Sequence, residues 1–549
     1  MQFNSKTMPA AWQPIEQLPD RLYTADQVRA IDAAAIAAGT PGIVLMSRAA
    51  RAVLEALLDW SASNTASQAN SICVLCGTGN NAGDGYLVAR FALERGMTVT
   101  LFEVADPTRL SGDALLARNS ALDAGVKPLD FKQLEKSDLK VDMIVDALLG
   151  TGISGLVRPN YAAAIAKINA SAAPVVAVDI PSGIVCNTGA VAGDQAVIAD
   201  LTVSFIALKR GLFTGAAVDY VGNIVFASLD VVSETCQPAS RLLKLSGQAK
   251  KIPRRGRNAY KNQSGHLLVI GGDCGMAGAP LLTATAALRC GTGLVTVATR
   301  PEHIGAIVSR QPDLMAIGIE KTSALAKLID RASAIVIGPG LGMGPWSQQL
   351  LQQIKQLSIP VLLDADALNL ISANRHFLPQ GPAVLTPHSG EAARLLAAAA
   401  NQAVDSKGQV SNNTQGIGGE INANRFASIE TLVNQYDKTW VLKGAGSLIM
   451  SGDDQSSGGQ CVDSAVCPYG NSAMATAGMG DILSGVIGAW LAQGLNTHDA
   501  AELGVVLHAA AADLAVQQIG QYGLAASDMP AALRDVINAV LRDDNERCQ

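Results

Sequence analysis

The chain has 549 residues, which is too long for one hydrophobic core and is typical of two domains of α/β size. Apolar residues make up 49% of the chain and charged residues 16%, with 53 glycines, a composition that suits buried parallel strands covered by alanine-rich helices. The formal net charge of −6 argues against general binding to nucleic acid or to anionic membranes.

The N-terminal sequence lacks the apolar core of a signal peptide, and no apolar run is long enough to span a bilayer. The nine cysteines are mostly scattered. Cys73 and Cys76 form a CxxC pair inside an apolar strand pattern, where residues three apart point to opposite faces. Because no second cysteine pair or histidine cluster accompanies them at metal-ligand spacing, we interpret them as core residues and expect reduced thiols in the cytoplasm.

The first elements predicted along the chain are two helices, over about residues 24–38 and 44–60, where Ala, Leu and Val recur at helical spacing. A strand over 71–76, a glycine-rich loop over 77–85 and a helix over 86–95 follow, which is the arrangement of a doubly wound nucleotide site. The loop reads GTGNNAGDG and is neither GxGxxG nor a Walker loop. Asn80, Asn81 and Asp84 instead offer oxygen atoms that suit a sugar, an amide or a hard cation.

Two further strand ends carry polar residues. Asp146 lies near the end of VDMIVDALLG, and Asp179 and Ser182 follow the strand VVAV. In open parallel sheets the ligand lies beyond the carboxyl ends of the strands, so we expect Asp84, Asp146, Asp179 and Ser182 to converge on one crevice. The alternative is that these aspartates only cap helices or brace turns. Three such strand ends in one module favour a binding site.

The predicted domains are residues 1–235 and 265–549, joined by a linker over 236–264. Strands over 201–206 and 224–229 close the first domain. The linker contains a basic run, made of Lys250, Lys251, Arg254, Arg255 and Arg257. This run could contact a nucleotide phosphate, but a solvated linker is the simpler interpretation.

The second module opens with a strand, a glycine-rich loop, a helix and a strand over 266–299, another βαβ unit. Asp364 and Asp366 follow a later strand, and His388 and Lys443 follow two more. Lys443 could pair with a phosphate or be a surface lysine before a hairpin, and His388 could bond a substrate or be structural. Residues 401–424 are rich in Gly, Asn and Gln and predict a flexible surface insertion with no part in catalysis.

The stretch NSAMATAGMGDILSG, residues 471–485, runs from small residues straight into an apolar helical pattern. Gly478 and Gly480 lack the Cβ atoms that would keep the backbone away from a phosphate, and the N–H groups of the following helix would form an anion site. Asp481 would be repelled by bound phosphates, so we interpret it as a group that takes a proton from a hydroxyl. The alternative is a glycine-rich helix start with an N-cap aspartate.

The motifs NNAGDG, DALLGTG and DIPSG, followed by GPGLG, TPHSGE, KGAGS and NSAMATAGMGD, occur in this order over nearly the whole chain. In this order they resemble the bifunctional NAD(P)H-hydrate repair enzymes. The resemblance implies an α/β protein of two doubly wound domains, an N-terminal Rossmann-like NAD(P)HX epimerase and a C-terminal ribokinase-like, ADP-dependent NAD(P)HX dehydratase. The implied substrate is NADH or NADPH hydrated at C6 of the nicotinamide ring.

In such a protein the first domain would interconvert the R and S epimers of the hydrate. The second would return the S form to NAD(P)H, using ADP or ATP to turn the poor hydroxide leaving group into a phosphate. Magnesium would screen the phosphates, although no carboxylate cluster in the sequence identifies its ligands.

The resemblance also assigns residues at positions that match the family's motifs. Those that would bind the hydrate in the first domain are Asn80, Asn81, Ala82, Gly83, Asp84, Gly150, Thr151, Gly152, Ile153, Ser154, Gly155, Leu156 and Asp179. Asp179 would act there as acid or base, and Asn81, Asp146 and Ser182 match potassium ligands. The hydrate set of the second domain is Ala279, Gly340, His388, Ser389, Gly390, Glu391, Ala392, Ala393, Arg394 and Asp481. The adenine nucleotide set is Lys443, Gly444, Ala445, Gly446, Ser447 and Gly480, and Asp481 is the implied base on the hydrate hydroxyl.

The chain departs from the family pattern at Ser472 and Ala473, where Pro and Gly are expected, and at Ala392, where relatives often have an aromatic residue. Because Asp481 and KGAGS are intact, we expect activity. A ribokinase-like vitamin or sugar kinase would share the terminal glycine–Asp motif but would not need the first domain. A non-catalytic nucleotide-binding or scaffold protein would tolerate the loss of Asp481. A homo-oligomer is expected, and the sequence distinguishes neither ADP from ATP nor NADHX from NADPHX.

Overall fold

The computed structural model describes residues 12–65, 68–136, 139–153, 155–233, 236–400, 414–452 and 464–545. They form two compact units. The N-terminal unit is Gln17–Arg241, and the C-terminal unit holds the described parts of Met1–Glu16 and Leu242–Gln549. Within these ranges, no helix is both long enough and apolar enough to cross a membrane.

The helices are α1 (Gln13–Gln17), α2 (Ala25–Ala37), α3 (Gly42–Asn64), α4 (Asn80–Glu94), α5 (Gly112–Asp123), α6 (Phe131–Lys136), α7 (Pro159–Asn169), α8 (Leu245–Ala249), α9 (Gly278–Arg289), α10 (Ile304–Arg310), α11 (Ala326–Ile329), α12 (Pro345–Ile354), α13 (Ala365–Ala373), α14 (Ser389–Ala400), α15 (Thr414–Ala423), α16 (Arg425–Tyr436), α17 (Met479–Ala492), α18 (Thr497–Ile519) and α19 (Met529–Asn545). The strands are β1 (Arg21–Tyr23), β2 (Ser71–Cys76), β3 (Thr98–Glu103), β4 (Pro128–Asp130), β5 (Met143–Ala147), β6 (Val175–Val178), β7 (Leu201–Phe205), β8 (Leu208–Lys209), β9 (Asn223–Ala227), β10 (Ser240–Leu242), β11 (His266–Ile270), β12 (Leu294–Thr299), β13 (Met315–Gly318), β14 (Ala334–Ile337), β15 (Val361–Leu363), β16 (Ala383–Leu385), β17 (Thr439–Leu442), β18 (Leu448–Ser451) and β19 (Ser464–Val466).

The N-terminal unit is built on a parallel sheet with the order β4-β3-β2-β5-β6-β7-β9. The chain winds outward from β2 in one direction and from β5 in the other, so the switch point of the topology lies between these two strands. Both faces of β2 are buried, with Val74 and Cys76 in one core cluster and Cys73 in another. The predicted core position of both cysteines is therefore confirmed, and both are free thiols.

In the C-terminal unit the strands run in the order β13-β12-β11-β14-β15-β16-β17-β18-β19. The pairs from β13 to β17 are parallel, and β18 and β19 add antiparallel strands at the end. Here the switch point lies between β11 and β14. Helices α9, α17, α18 and α19 contribute to one core cluster of this unit. The predicted fold class, two doubly wound α/β domains, is confirmed.

The predicted glycine loop over 77–85 is wrong, because α4 begins at Asn80. Gly83 and Gly85 serve close packing inside this helix. A Cβ atom on Gly83 would lie 2.5 Å from Met46 Sδ, and one on Gly85 would lie 2.5 Å from Ala147 Cβ. The polar residues of this motif therefore lie on the first turns of a helix that starts at the carboxyl end of β2.

The segments predicted as linker and insertion contain ordered elements. In the predicted linker, β10 pairs with β1, and Lys251 forms ion pairs with Asp499 and the buried Glu502, both at 2.7 Å. Lys251 is thus held by two carboxylates of α18, and its part of the basic run is not a solvated linker. Residues 414–423 of the predicted insertion form α15, whereas residues 401–413 lie outside the described part of the chain.

Candidate active sites

A cavity of about 500 Å³ in the N-terminal unit lies where β2, β5 and β6 end. This is the position expected for the ligand of a doubly wound sheet, beside the switch point. The predicted residues that line it are Asn80, Asn81, Asp84, Gly150, Thr151, Gly152, Ile153 and Asp179. The predicted convergence on one crevice is therefore confirmed for Asp84 and Asp179, whereas Asp146 and Ser182 are not among the residues that line the cavity.

Asp179 follows β6 in a left-handed conformation with φ of 67°, which is uncommon for a residue with a side chain. Its Oδ1 atom accepts a hydrogen bond from the Phe205 backbone N–H at 3.0 Å and forms an ion pair with Lys209. The Lys209 side chain is fully buried, and its Nζ atom also donates to the Phe205 carbonyl at 2.9 Å. A buried lysine therefore holds Asp179 at the cavity wall.

Other carboxylates surround this ion pair. Asp84 is buried, and burial raises its pKa well above the usual range, with the charges of Asp179 and Asp32 adding to the effect and Lys209 opposing it. Burial also raises the pKa of Asp32, and Asp113 and Asp179 contribute. Carboxyl groups with raised pKa values beside a charged pair are typical of sites that move protons.

Asp146, Ser182 and Asn81 are connected through hydrogen bonds. Ser182 Oγ donates to Asp146 Oδ1 at 2.6 Å and approaches the Leu149 carbonyl at 3.2 Å, while Asn81 Nδ2 donates to the same carbonyl at 3.1 Å. Asp146 is fully buried, and burial raises its pKa to about 6 despite three hydrogen bonds that oppose the shift. A buried carboxylate among hydroxyl, amide and carbonyl oxygens has the donor chemistry of a hard-cation site.

Several predicted residues of this unit lie away from the cavity wall. Ala82 and Gly83 are buried, and Gly83 packs against Met46, so α4 turns them toward the protein interior. Gly155 and Leu156 are exposed, with 82% of Leu156 accessible to solvent. Ser154 lies outside the described residues.

The charged residues that line the cavity and that the sequence analysis missed include Lys209, Asp32 and Arg158. Arg158 precedes α7, and its guanidinium lies 4.9 Å from the centroid of the Tyr161 ring. None of the three lies in a recognisable motif. The only signal for Lys209 was a charged residue directly after an apolar strand pattern, which is a weak one.

In the C-terminal unit, Lys443 and Asp364 form the centre of the candidate site. Lys443 follows β17 and its Nζ atom lies 2.7 Å from Asp364 Oδ1, at the end of β15. Asp364 Oδ2 accepts from Ser484 Oγ at 2.8 Å. Burial lowers the pKa of Lys443, but the charges of Asp364, Glu391 and Asp481 outweigh it and raise the pKa overall. Lys443 is thus a shielded cation and not the surface lysine of the alternative interpretation.

Asp481 lies in the first turn of α17, and the N-cap of this helix is Gly478, so the alternative of an N-cap aspartate is wrong. Gly478 has φ of 88°, where a side chain would be strained, and a Cβ atom there would lie 2.7 Å from Leu282 Cδ1. Burial raises the pKa of Asp481 to about 7, with Asp364 adding to the shift and Lys443 opposing it. Its protonation can therefore change near neutral pH, as a general base requires.

The TPHSGE segment turns into α14 beside Lys443. The His388 backbone N–H donates to Glu391 Oε2 at 2.8 Å, and the His388 ring is exposed. Glu391 is buried, and burial raises its pKa to about 7, while Lys443 opposes the shift. Arg394 donates to Asn369 of α13 at 3.0 Å.

The surroundings of four other predicted hydrate residues are defined. A Cβ atom on Gly340 would lie 3.2 Å from Ala279 Cβ, so these two residues lie side by side. Ala392 and Ala393 have exposed fractions of 0% and 1%. Both side chains therefore face the interior of the unit, and their assignment to the hydrate site stays a prediction.

The backbone of the KGAGS segment is supported by Arg425, which the sequence analysis missed. Arg425 Nη2 donates to the Leu442 carbonyl at 3.0 Å, and burial lowers the pKa of this guanidinium to about 10. Gly444 has φ of 144°, and a Cβ atom there would lie 2.7 Å from Arg425 Nη1. The segment Gly444, Ala445, Gly446 and Ser447 therefore forms a tight turn next to Lys443.

Comparison with known proteins gives matches to both units. A family profile described as NAD(P)H-hydrate dehydratase matches residues 267–534, and one described as YjeF-related protein N-terminus matches residues 42–211. The bifunctional NAD(P)H-hydrate repair enzyme of Coxiella burnetii is 40% identical over 521 residues, which cover 94% of this chain and 99% of that protein. The corresponding enzyme of Escherichia coli is 39% identical over 481 residues, 86% of each chain. A solved ribokinase-like superfamily protein from Enterococcus faecalis is 26% identical, with a TM-score of 0.47 over 55% of this chain and 96% of that one.

Proposed function

This chain belongs to the family of bifunctional NAD(P)H-hydrate repair enzymes, and we propose which of its residues carry out each of the two reactions. The enzyme epimerises R- and S-NAD(P)HX and dehydrates S-NAD(P)HX to NAD(P)H in a nucleotide-dependent reaction. One observation carries the assignment of residues. In each unit, one carboxylate lies in an unusual electrostatic setting: Asp179 lines the N-terminal cavity and is ion-paired with the buried Lys209, and Asp481 lies in the first turn of α17 with a pKa that burial raises to about 7.

In the N-terminal unit, Asp179 exchanges a proton with the hydrated ring. Lys209 keeps its carboxylate oriented, and Asp84 supplies a second carboxyl group in the same cavity. The segment 150–153 and Arg158 bind the phosphate-bearing part of the substrate. The guanidinium of Arg158 at the cavity edge, just before the N-terminus of α7, supports this orientation.

The residues Asn81, Asp146 and Ser182 would hold K⁺ in this unit. Their fit rests on the fully buried Asp146 carboxylate and on the oxygen atoms of Ser182 and Leu149 that surround it. Bound there, the cation would compensate the charge of Asp146 and attract the anionic part of the substrate. The hydrogen bonds of this group also link the ends of β2, β5 and β6.

In the C-terminal unit, Asp481 takes the proton from the C6 hydroxyl of S-NAD(P)HX. The hydroxyl oxygen then attacks the terminal phosphorus of ADP or ATP, and AMP or ADP leaves. Inorganic phosphate then leaves C6 together with a proton from the neighbouring ring carbon C5, which gives NAD(P)H. Lys443, the turn 444–447 and the backbone of Gly480 bind the nucleotide. Ala279, Gly340 and the segment 388–391 line the hydrate site with Arg394.

Magnesium would enter with the phosphates of the nucleotide. In the described ranges, no three His, Cys, Asp or Glu side chains are grouped so that they could hold a metal ion. Mg²⁺ in nucleotide sites is held largely by phosphate oxygens and water, so this arrangement suits it. We also propose a cytoplasmic homo-oligomer. All seven cysteines within the described residues are free thiols, which supports a reducing compartment.

The test follows the near-ultraviolet absorbance of reduced nicotinamide. A mixed R/S NADHX preparation is supplied with ADP or ATP, Mg²⁺ and K⁺, and complete recovery of NADH is expected. If NADH is recovered only from the S epimer, the assignment of epimerase activity to the N-terminal unit would be wrong. No recovery with either nucleotide, together with phosphorylation of a vitamin-like alcohol, would favour a ribokinase-like kinase instead.

A further inference from the structure

The loop that leads into α17 is attached at its base to α18 by one carboxylate. Asp513 Oδ2 accepts from the Gly470 backbone N–H at 3.0 Å, and Asp513 Oδ1 accepts from Asn471 Nδ2 at 2.8 Å. Asn471 in turn uses its Oδ1 atom to accept from the Ala473 backbone N–H at 3.1 Å. A single chain of hydrogen bonds therefore runs from α18 into the first turn of the loop.

In the rest of this loop, Ala473 and Met474 pack against the core cluster, and the other residues before Gly478 have few contacts. Ser472 and the three residues Ala475, Thr476 and Ala477 lie at least partly open to solvent. Gly470 has φ of 102°, a conformation that only glycine adopts easily. A second support is the hydrogen bond from Gln521 Nε2 to Ser472 Oγ at 2.5 Å, at a position where the family pattern has proline.

We propose that Asp513 and Asn471 are a positioning pair that fixes the loop from Gly470 to Gly480 for binding the nucleotide phosphates. The inference rests on the proposed function, which assigns the nucleotide to the end of this loop. Neither residue has to contact the nucleotide. Their effect is to hold the loop in the shape that directs the N–H groups at the start of α17 toward the phosphates.

Donor and acceptor chemistry makes the pair testable. In Asp513→Asn, the amide oxygen can still accept from the Gly470 N–H. The new NH₂ group, however, faces the NH₂ group of Asn471, so two donors meet. In Asn471→Asp, two carboxylates face each other. In the double variant, the amide introduced at position 513 can accept from Gly470 and donate to the carboxylate introduced at position 471. The second oxygen of that carboxylate can accept from Ala473, so every hydrogen bond is restored with unchanged net charge.

The experiment measures the KM for ADP, the KM for S-NADHX and the epimerase rate for the wild type, both single variants and the double variant. Each single variant should raise the KM for ADP by about tenfold, the size of a lost coupling between contacting residues. The double variant should return it to within about threefold of the wild type. Asp535→Asn, on the exposed face of α19, is the matched control and should change nothing.

An unchanged KM for S-NADHX, which the same unit binds, reports that this unit is folded in each variant, and ADP binding measured by calorimetry checks the KM values for ADP. The epimerase rate should be unchanged, because the other unit carries that reaction. Equal rises in the KM for ADP and the KM for S-NADHX would overturn the positioning role. So would a double variant in which the effects of the two single substitutions on the KM for ADP simply add. Failure of the wild type to use any nucleotide would instead refute the proposed function.

Discussion

Asp481 combines two properties that a base on a hydroxyl needs. It is desolvated enough to hold a pKa of about 7, and Lys443 nearby prevents a further rise. At neutral pH a large part of it is ionised, and it still binds a proton firmly enough to take one from the hydrate.

We expect Asp481→Asn to lower the dehydratase kcat by at least about 100-fold, because the amide cannot accept the proton. The KM for the nucleotide should change little, since the amide has nearly the same shape. The same preparation should epimerise NADHX at the wild-type rate, which NMR of the two epimers would check. A dehydratase rate within a few-fold of the wild type would contradict the assignment of the base.

The raised pKa of Asp481 also predicts a pH profile. The dehydratase kcat/KM should fall about tenfold per unit as the pH drops below about 7, because only the ionised form accepts a proton. The stability effect has the opposite sign. The folded-state pKa lies above the usual 3.8, so this group favours the folded state at low pH, and the benefit is lost as the pH rises through about 7.

Asp481→Asn should therefore raise the melting temperature relative to the wild type more at about pH 8 than at about pH 4. Calorimetry at the two pH values would measure it. An equal effect at both would show that the carboxylate is not desolvated in solution.

Lys209 is the corresponding test in the N-terminal unit. Lys209→Met leaves Asp179 with the Phe205 N–H and without its cation, and removing one member of a buried pair costs about 3–5 kcal/mol. We expect epimerisation to fall by at least about 100-fold and the dehydratase to be unaffected. Lys132→Met, at an exposed position of the same unit, is the control. Normal epimerisation by Lys209→Met would remove the role assigned to this pair.

The sequence predicted Asp179, Asp481 and Lys443 because each directly follows a strand or a glycine turn with a recognisable pattern. Lys209 and Arg425 escaped prediction for a physical reason. Both act by being buried, and burial depends on which distant segments pack over a residue, which no local pattern records.

At the scale of elements, glycines inside helices set how closely those helices pack. In α17, a Cβ atom on Gly485 would lie 2.1 Å from the Thr283 carbonyl oxygen of α9. Thr283 Oγ1 also donates to the Asp481 carbonyl at 3.0 Å. The position of the base therefore depends on the close contact of α9 with α17.

Gly485→Ala should destabilise the protein by about 1–3 kcal/mol, because backbone must move to admit the methyl group. It should also lower the dehydratase rate, since Asp481 moves with α17. Gly305→Ala in α10 is the matched control, because its Cβ atom would meet nothing within 4 Å. Denaturant unfolding would compare the two, and equal stabilities would show that α9 and α17 are loosely packed.

Strand ends were easier to predict from the sequence than helix starts. The apolar runs and the polar residues after them located β2, β5 and β6 correctly. The start of α4 was missed because Gly83 and Gly85 look like loop residues, although they are helical and serve contacts with Met46 and Ala147. The sequence alone does not distinguish a glycine that gives a loop its conformational freedom from one that allows close packing inside a helix.

At the scale of the whole molecule, each unit has a mainly parallel sheet that begins with a central strand, and later strands are added on both sides of it. Each unit has its own switch point and its own core clusters. The charged groups assigned to one reaction therefore lie on the strands and helices of one unit.

This separation predicts complementation between damaged chains. A mixture of Asp481→Asn and Asp179→Asn proteins should recover all NADH from an R/S mixture, whereas each alone should fall short. The epimers would pass through solution from one protein to the other, and added unrelated protein should not change the yield. Failure of the mixture, with each remaining activity intact, would mean that the hydrate is not released between the two reactions.

The left-handed backbone of Asp179 limits which substitutions the enzyme can accept at this position during evolution. Asparagine and glycine are the residues that tolerate φ of 67° best, and each of them removes the carboxylate. Most other replacements would lose the charge and also strain the turn after β6. Random substitution at this codon should therefore give two classes of protein. One class folds normally but has lost epimerisation, and the other misfolds. Variants with partial epimerase activity should be rare.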